Sequence, residues 1–147
     1  MNYIKQQKTM KKLQTITIKS IPHNRQKYET VGDYWKNKDG SIDYRVSIFG
    51  DEYMQLAVIL HELIESFLCK KRKISWKKID AFDIAYERAR AEGKKYAPCG
   101  CKIQEEPGND KHSPYHREHL FATKLEKMFI KELGYKWDDY DKLVESL

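Results

Sequence analysis

Residues 56–68, Leu56-Ala57-Val58-Ile59-Leu60-His61-Glu62-Leu63-Ile64-Glu65-Ser66-Phe67-Leu68, constrain this chain more than any other stretch. The run is apolar on nearly every side, as expected of a helix buried in a core rather than laid on a surface. Three titratable groups, His61, Glu62 and Glu65, sit in its middle. His61 and Glu65 are four residues apart, so they share a helix face one turn from each other. Their neighbours around the helix are Ala57, Val58 and Leu68, and no Lys or Arg of this helix lies near Glu65. A carboxylate in such surroundings is costly unless a charge or a metal compensates it. A divalent cation held by His61 and Glu65 resolves the cost; the plainer alternative is that the two hydrogen-bond each other or face a solvent groove.

The rest of the chain reads as an α+β domain over residues 13–147, preceded by a basic flexible arm at 1–12. Leu13 to Ile18 alternates β-branched and polar residues and predicts a strand. Tyr28 to Trp35, then Asp39-Gly40, then Ile42 to Ile48 predicts a hairpin whose turn takes positive φ angles at Asp-Gly. These elements make a small N-terminal antiparallel sheet packed on three to four helices. Asp51 is a natural N-cap for the apolar helix, which should run to about Lys70, and Ser75 for a second helix over 76–92. Residues 93–113 form an irregular segment with Pro98, Cys99, Cys101, Pro107 and Gly108. A loop of that length in a small domain is either functional or tied down. Ser113-Pro114 should open a third helix that ends at Gly134, followed by a short helix carrying Trp137, Tyr140, Leu143 and Val144.

Composition removes several classes. With 40% hydrophobic and 12% aromatic residues in 147, the chain can build one core, and wholesale disorder is excluded. No apolar run approaches the ~18 residues of a membrane span, and the first residues show no secretory signal core. Three cysteines, two of them in Cys99-Gly100-Cys101, suit a reducing, cytoplasmic setting. Residues 1–30 carry seven Lys/Arg against Glu29 alone, which accounts for the whole net charge of +6. That arm and the run Lys70-Lys71-Arg72-Lys73 around Trp76 allow weak nucleic-acid contact. A solvated lysine surface, with cations at a helix C-terminus, explains them equally.

The segment His61-Glu62-Leu63-Ile64-Glu65 resembles the H-E-x-x-H helix of zincin metallopeptidases, with Glu in place of the second His. Together with Ser113-Pro114-Tyr115-His116-Arg117-Glu118-His119, it makes the chain similar to small phage and prophage proteins of this kind. The resemblance implies a zinc ion bound by His61 and Glu65, and a metal-bound water activated by Glu62 as general base. The substrate would be a peptide or protein, and the setting the host cytoplasm if the chain is phage-encoded. A third ligand is needed. His119 would complete two His and one Glu, with His116 as its substitute, and Glu118 and Glu126 could orient a ligand imidazole. Tyr115 or Tyr86 could donate to the oxyanion.

Two other readings use the same residues differently. Glu62-x-x-Glu65 followed by Asp80-x-x-Asp83 resembles the carboxylate pattern of all-α nucleoside-triphosphate pyrophosphohydrolases, which hold Mg²⁺ against a pyrophosphate. A non-enzymatic reading takes Cys99, Cys101, His112 and His116 as four zinc ligands stapling the long loop of a binding module. Cys69, on the apolar helix, reads as a small core residue.

Overall fold

The computed structural model describes residues 11–147. Of the basic arm expected over 1–12, only Lys11 and Lys12 fall within that range, both exposed; the rest lies outside the described residues.

Alternating β-branched and aromatic residues form three strands, β1 (Ile16–Ile21), β2 (Gly32–Lys36) and β3 (Ile42–Ser47). Their order is β1-β3-β2. β2 and β3 are the expected antiparallel hairpin, with Tyr34 opposite Tyr44. Its loop closes through Asn37 N–H to Ser41 O at 2.8 Å. Gly40, at φ +86°, is the only residue of that loop with a positive φ, so the turn is longer than a two-residue one. β1 departs from expectation: it pairs in parallel with β3, Ile16 opposite Ile42. The sheet is therefore mixed rather than antiparallel. The hairpin occupies one edge of β3, and β1 takes the other. Two reversals of direction separate β1 from β3, so they run the same way.

Gly50 and Asp51 then turn the chain into helix α1 (Glu52–Lys71). The Asp51 carboxylate caps it by accepting the Met54 N–H at 2.8 Å. Ala57, Val58 and Ile59 are buried with Tyr44, Val46 and Phe49 of the sheet side, and with Ile130 and Tyr140 from later helices. Other parts of the apolar run are less covered, Leu56 being 45% exposed. The sheet is also tied to α1 by a buried hydrogen bond of 2.7 Å between Tyr44 Oη and Ser66 Oγ, next to Glu65.

Helix α2 (Trp76–Ala91) buries Ile79, Tyr86 and Ala89. Ser75 precedes it, without a side-chain cap. The following segment has little regular structure beyond a Tyr96–Lys102 bridge and a 3-10 turn at Pro107–Asn109. Helix α3 (His116–Glu132) packs along α1, and α4 (Trp137–Glu145) closes the core with Tyr140. Ser113-Pro114 does not open α3 as expected. His116 N–H bonds Ser113 O at 3.2 Å, so the two residues form a turn before the helix, whose N-cap is Tyr115. Gly134 at φ +85° ends α3 as the sequence predicts. Among the described residues no helix is long and apolar enough to cross a membrane.

Candidate metal centre

The packing of α3 on α1 brings His119 onto the face that holds His61 and Glu65. His61 Nε2 lies 3.1 Å from Glu65 Oε2 and 3.2 Å from His119 Nδ1, and His119 Nδ1 lies 2.9 Å from Glu65 Oε2. All three residues are buried, and their donor atoms can hold a metal ion. Three lone-pair donors thus converge on one point from two helices.

Each imidazole has a carboxylate near its other nitrogen, but only the one beside His61 is hydrogen-bonded to the ring. His61 Nδ1–H donates to Glu126 Oε2 at 2.8 Å, and Tyr140 Oη–H donates to the other oxygen of Glu126. His119 Nε2 lies 3.0 Å from Glu106 Oε2, although off the hydrogen-bond direction, so this buried nitrogen has no aligned partner. The ion pairs of Glu65, Glu106 and Glu126 run only to these two rings, with no Lys or Arg among them in the described residues.

The electrostatics follow from this crowding. Burial alone would lower both imidazoles, but the Glu126 and Glu65 carboxylates more than offset it and hold His61 well above its usual value. Likewise Glu106 and Glu65 overcome burial and raise His119 to about 9. Burial would raise Glu65, yet the two imidazoles bring it down to about 2. Without a metal, the surrounding carboxylates favour the protonated form of both rings. Two ring protons supply the same two positive charges as one divalent cation. They serve the geometry less well, because two imidazolium rings present N–H groups to each other across 3.2 Å. A single cation satisfies all three converging lone pairs at once.

Glu62 is one residue further along α1 and half-buried. Its side chain lies against β2: a Cβ on Gly32 would stand 3.0 Å from Glu62 Cγ and 2.6 Å from Val58 Cγ1. Only glycine lets strand and helix approach this closely. Burial, then the Glu65 charge, push the Glu62 carboxyl well above the carboxylate range.

Several expected residues stand elsewhere. His116 donates from Nδ1 to Gly108 O at 2.8 Å, so it holds the 3-10 turn rather than joining His61 and Glu65. Glu118 is buried against Arg72 at 2.6 Å and braces neither imidazole. Of the polar residues that open α3, only His119 lies on the line that meets His61 and Glu65. Asp83 accepts from Tyr115 Oη at 2.9 Å; burial raises its carboxyl to about 7. Asp80 is exposed, and Glu62, Glu65, Asp80 and Asp83 do not form one ligand group among the described residues. Tyr86 is fully buried and accepts the Gln104 N–H at 2.6 Å, pinning the long segment instead of facing a substrate. Tyr115 stands edge-on to His119, ring centres 6.1 Å apart.

Two participants escape sequence reasoning. Glu106 comes from an irregular stretch with no periodicity to place it. Gly108 is pressed on the His119 ring so closely that a Cβ would fall 2.4 Å from His119 Cγ. Cys99, Cys101 and His112 do gather as expected, but with Asp110 in the place assigned to His116. No protein-family model matches the chain, and neither the curated proteins nor the solved structures compared with it gave a match.

Proposed function

We propose that the chain is a zinc-dependent hydrolase of zincin type acting on a peptide bond, with His61, Glu65 and His119 as metal ligands and Glu62 as general base. The convergence of His61 Nε2, Glu65 Oε2 and His119 Nδ1 within 2.9–3.2 Å of one another carries this reading. Donors bonded to a tetrahedral zinc at about 2.0–2.1 Å lie roughly 3.3 Å apart, close to this spacing. Two imidazoles and one carboxylate are the ligand types of zinc hydrolases, whereas Mg²⁺ prefers oxygen donors alone. Carboxylates behind both rings are the usual support for metal-bound histidines.

Zinc at this position would polarise a carbonyl and acidify a water molecule. The chain's own groups do the remainder. Glu126, fixed by Tyr140, sets which nitrogen of His61 faces the centre, and Glu106 adds negative charge beside His119. Glu62, with its raised affinity for a proton, takes the proton of the attacking water and passes it to the leaving amine. Tyr115, the expected oxyanion donor beside His119, gives its hydroxyl proton to Asp83 instead.

Metal content and hydrolysis of a fluorogenic peptide pool, measured on wild type, His61→Ala and Glu62→Gln, test this. Loss of one zinc equivalent in His61→Ala is expected, together with wild-type zinc content but ~10²–10⁴-fold slower hydrolysis in Glu62→Gln. A zinc content unchanged from wild type in His61→Ala, or a fully active Glu62→Gln, would contradict the assignment.

A further inference from the structure

The segment between α2 and α3 carries a cluster that the hydrolase reading leaves unused. Ala97 N–H bonds Cys101 O at 2.8 Å and Gly100 N–H bonds Ala97 O at 2.8 Å. Gly100 adopts φ +87°, which turns the chain sharply between the two cysteines. That turn offsets the short one-residue gap and brings both sulfurs towards the same partners. Cys99 Sγ lies 3.1 Å from Asp110 Oδ2, and Cys101 Sγ lies 3.0 Å from His112 Nδ1. His112 Nδ1 is in turn 3.5 Å from Asp110 Oδ1. All four residues offer donor atoms within 4.8 Å of one another, and neither cysteine is in a disulfide. Asp110 is completely buried, and among the described residues its ion-pair partner is the His112 imidazole, not a Lys or Arg.

We infer that Cys99, Cys101, Asp110 and His112 form a second cation site, a closed structural one, selective for zinc or a similarly soft divalent ion. Two thiolates exclude Mg²⁺ and Ca²⁺ as resident ions. Four protein donors leave no open position for a substrate, so the site holds structure and does no hydrolysis. What it would hold is visible in the chain. Residues 102–110 run from Cys101 to Asp110 and include Glu106 and Gly108, which lie against His119. A cation gripping both ends of that stretch closes it into a small loop and fixes the backing of the first centre. Only this last consequence rests on the hydrolase reading; the second site stands without it.

Cobalt(II) titration of the metal-free full-length chain tests the proposal, because thiolate ligation gives a near-ultraviolet sulfur-to-cobalt charge-transfer band that a histidine–carboxylate site cannot give. The band is expected in wild type and in His61→Ala, and its loss is expected in Cys99→Ser/Cys101→Ser. Asp110→Asn should shift the band's titration midpoint to higher cobalt concentration, by about tenfold or more. Absence of the band from the wild-type chain overturns the proposal, whether or not any variant folds. So would a band that survives the double cysteine substitution, or one that Asp110→Asn leaves unmoved. If the first centre does not exist, the band still appears and accounts for all the bound cobalt.

Discussion

His61 is restrained at both ring nitrogens, and this restraint gives the residue its significance. Glu126 accepts from Nδ1 and is itself held by Tyr140, so Nε2 is left facing Glu65 and His119. Replacing Glu126 by Gln keeps the volume but removes the charge that orients the ring and raises its basicity. Zinc affinity measured against a chromophoric chelator should fall about 10–100-fold. An unchanged affinity would mean that His61 needs no such support. His61 and Glu65 were legible in the sequence because a fixed spacing on one helix fixes their relation. His119 was legible for a weaker reason: His119, Ala122, Glu126 and Ile130 fall at helical spacing and form the buried stripe of α3. His116 and Glu118 sat too near it to be separated without knowing which way α3 leans on α1. Glu106 was not legible, since only the tertiary path of an irregular segment brings it to His119.

At the scale of elements, the close approach of backbone to side chain decides what can be substituted. The turn at Pro107–Asn109 lies on the His119 ring through Gly108, where a methyl group would stand 2.4–2.8 Å from three ring atoms. The ring cannot simply move aside, since its nitrogens face Glu65 and Glu106. Gly108→Ala should therefore displace either His119 or the turn. It should weaken zinc binding by an order of magnitude or more while leaving the far-ultraviolet circular dichroism of the helices in place. Wild-type zinc affinity in Gly108→Ala would show that the turn yields freely. The four helices and the hairpin were legible from periodicity, caps and Asp-Gly, because those signals are local. The parallel pairing of β1 was not, since pairing is chosen by which edge of β3 remains free. The start of α3 was misplaced for a similar reason: Ser-Pro suits a helix cap and a preceding turn equally well.

Across the whole molecule, burying the Glu65 and Glu126 carboxylates with two imidazoles at one centre makes stability depend on what supplies the positive charge. In the metal-free chain that charge is protonic. His119, raised from 6.5 to about 9, contributes stability that is complete below pH 6.5 and lost as pH rises through 9. Asp83, raised from 3.8 to about 7, favours the folded state less and less as pH climbs between those values. The Tm of the chelator-treated chain should therefore fall steadily from pH 5 to pH 9, and added zinc should restore it at the alkaline end, where it replaces the lost protons. A Tm indifferent to pH over that range would show that the cluster contributes nothing to folding. The central claim is that three donors from α1 and α3 close on one ion, and anomalous diffraction at the zinc edge from crystals grown with zinc tests it most directly. A peak is expected roughly 2.0–2.2 Å from each of His61 Nε2, Glu65 Oε2 and His119 Nδ1. Crystals that take up zinc elsewhere but show no peak there, with the His61 and Glu65 side chains turned apart, would contradict it.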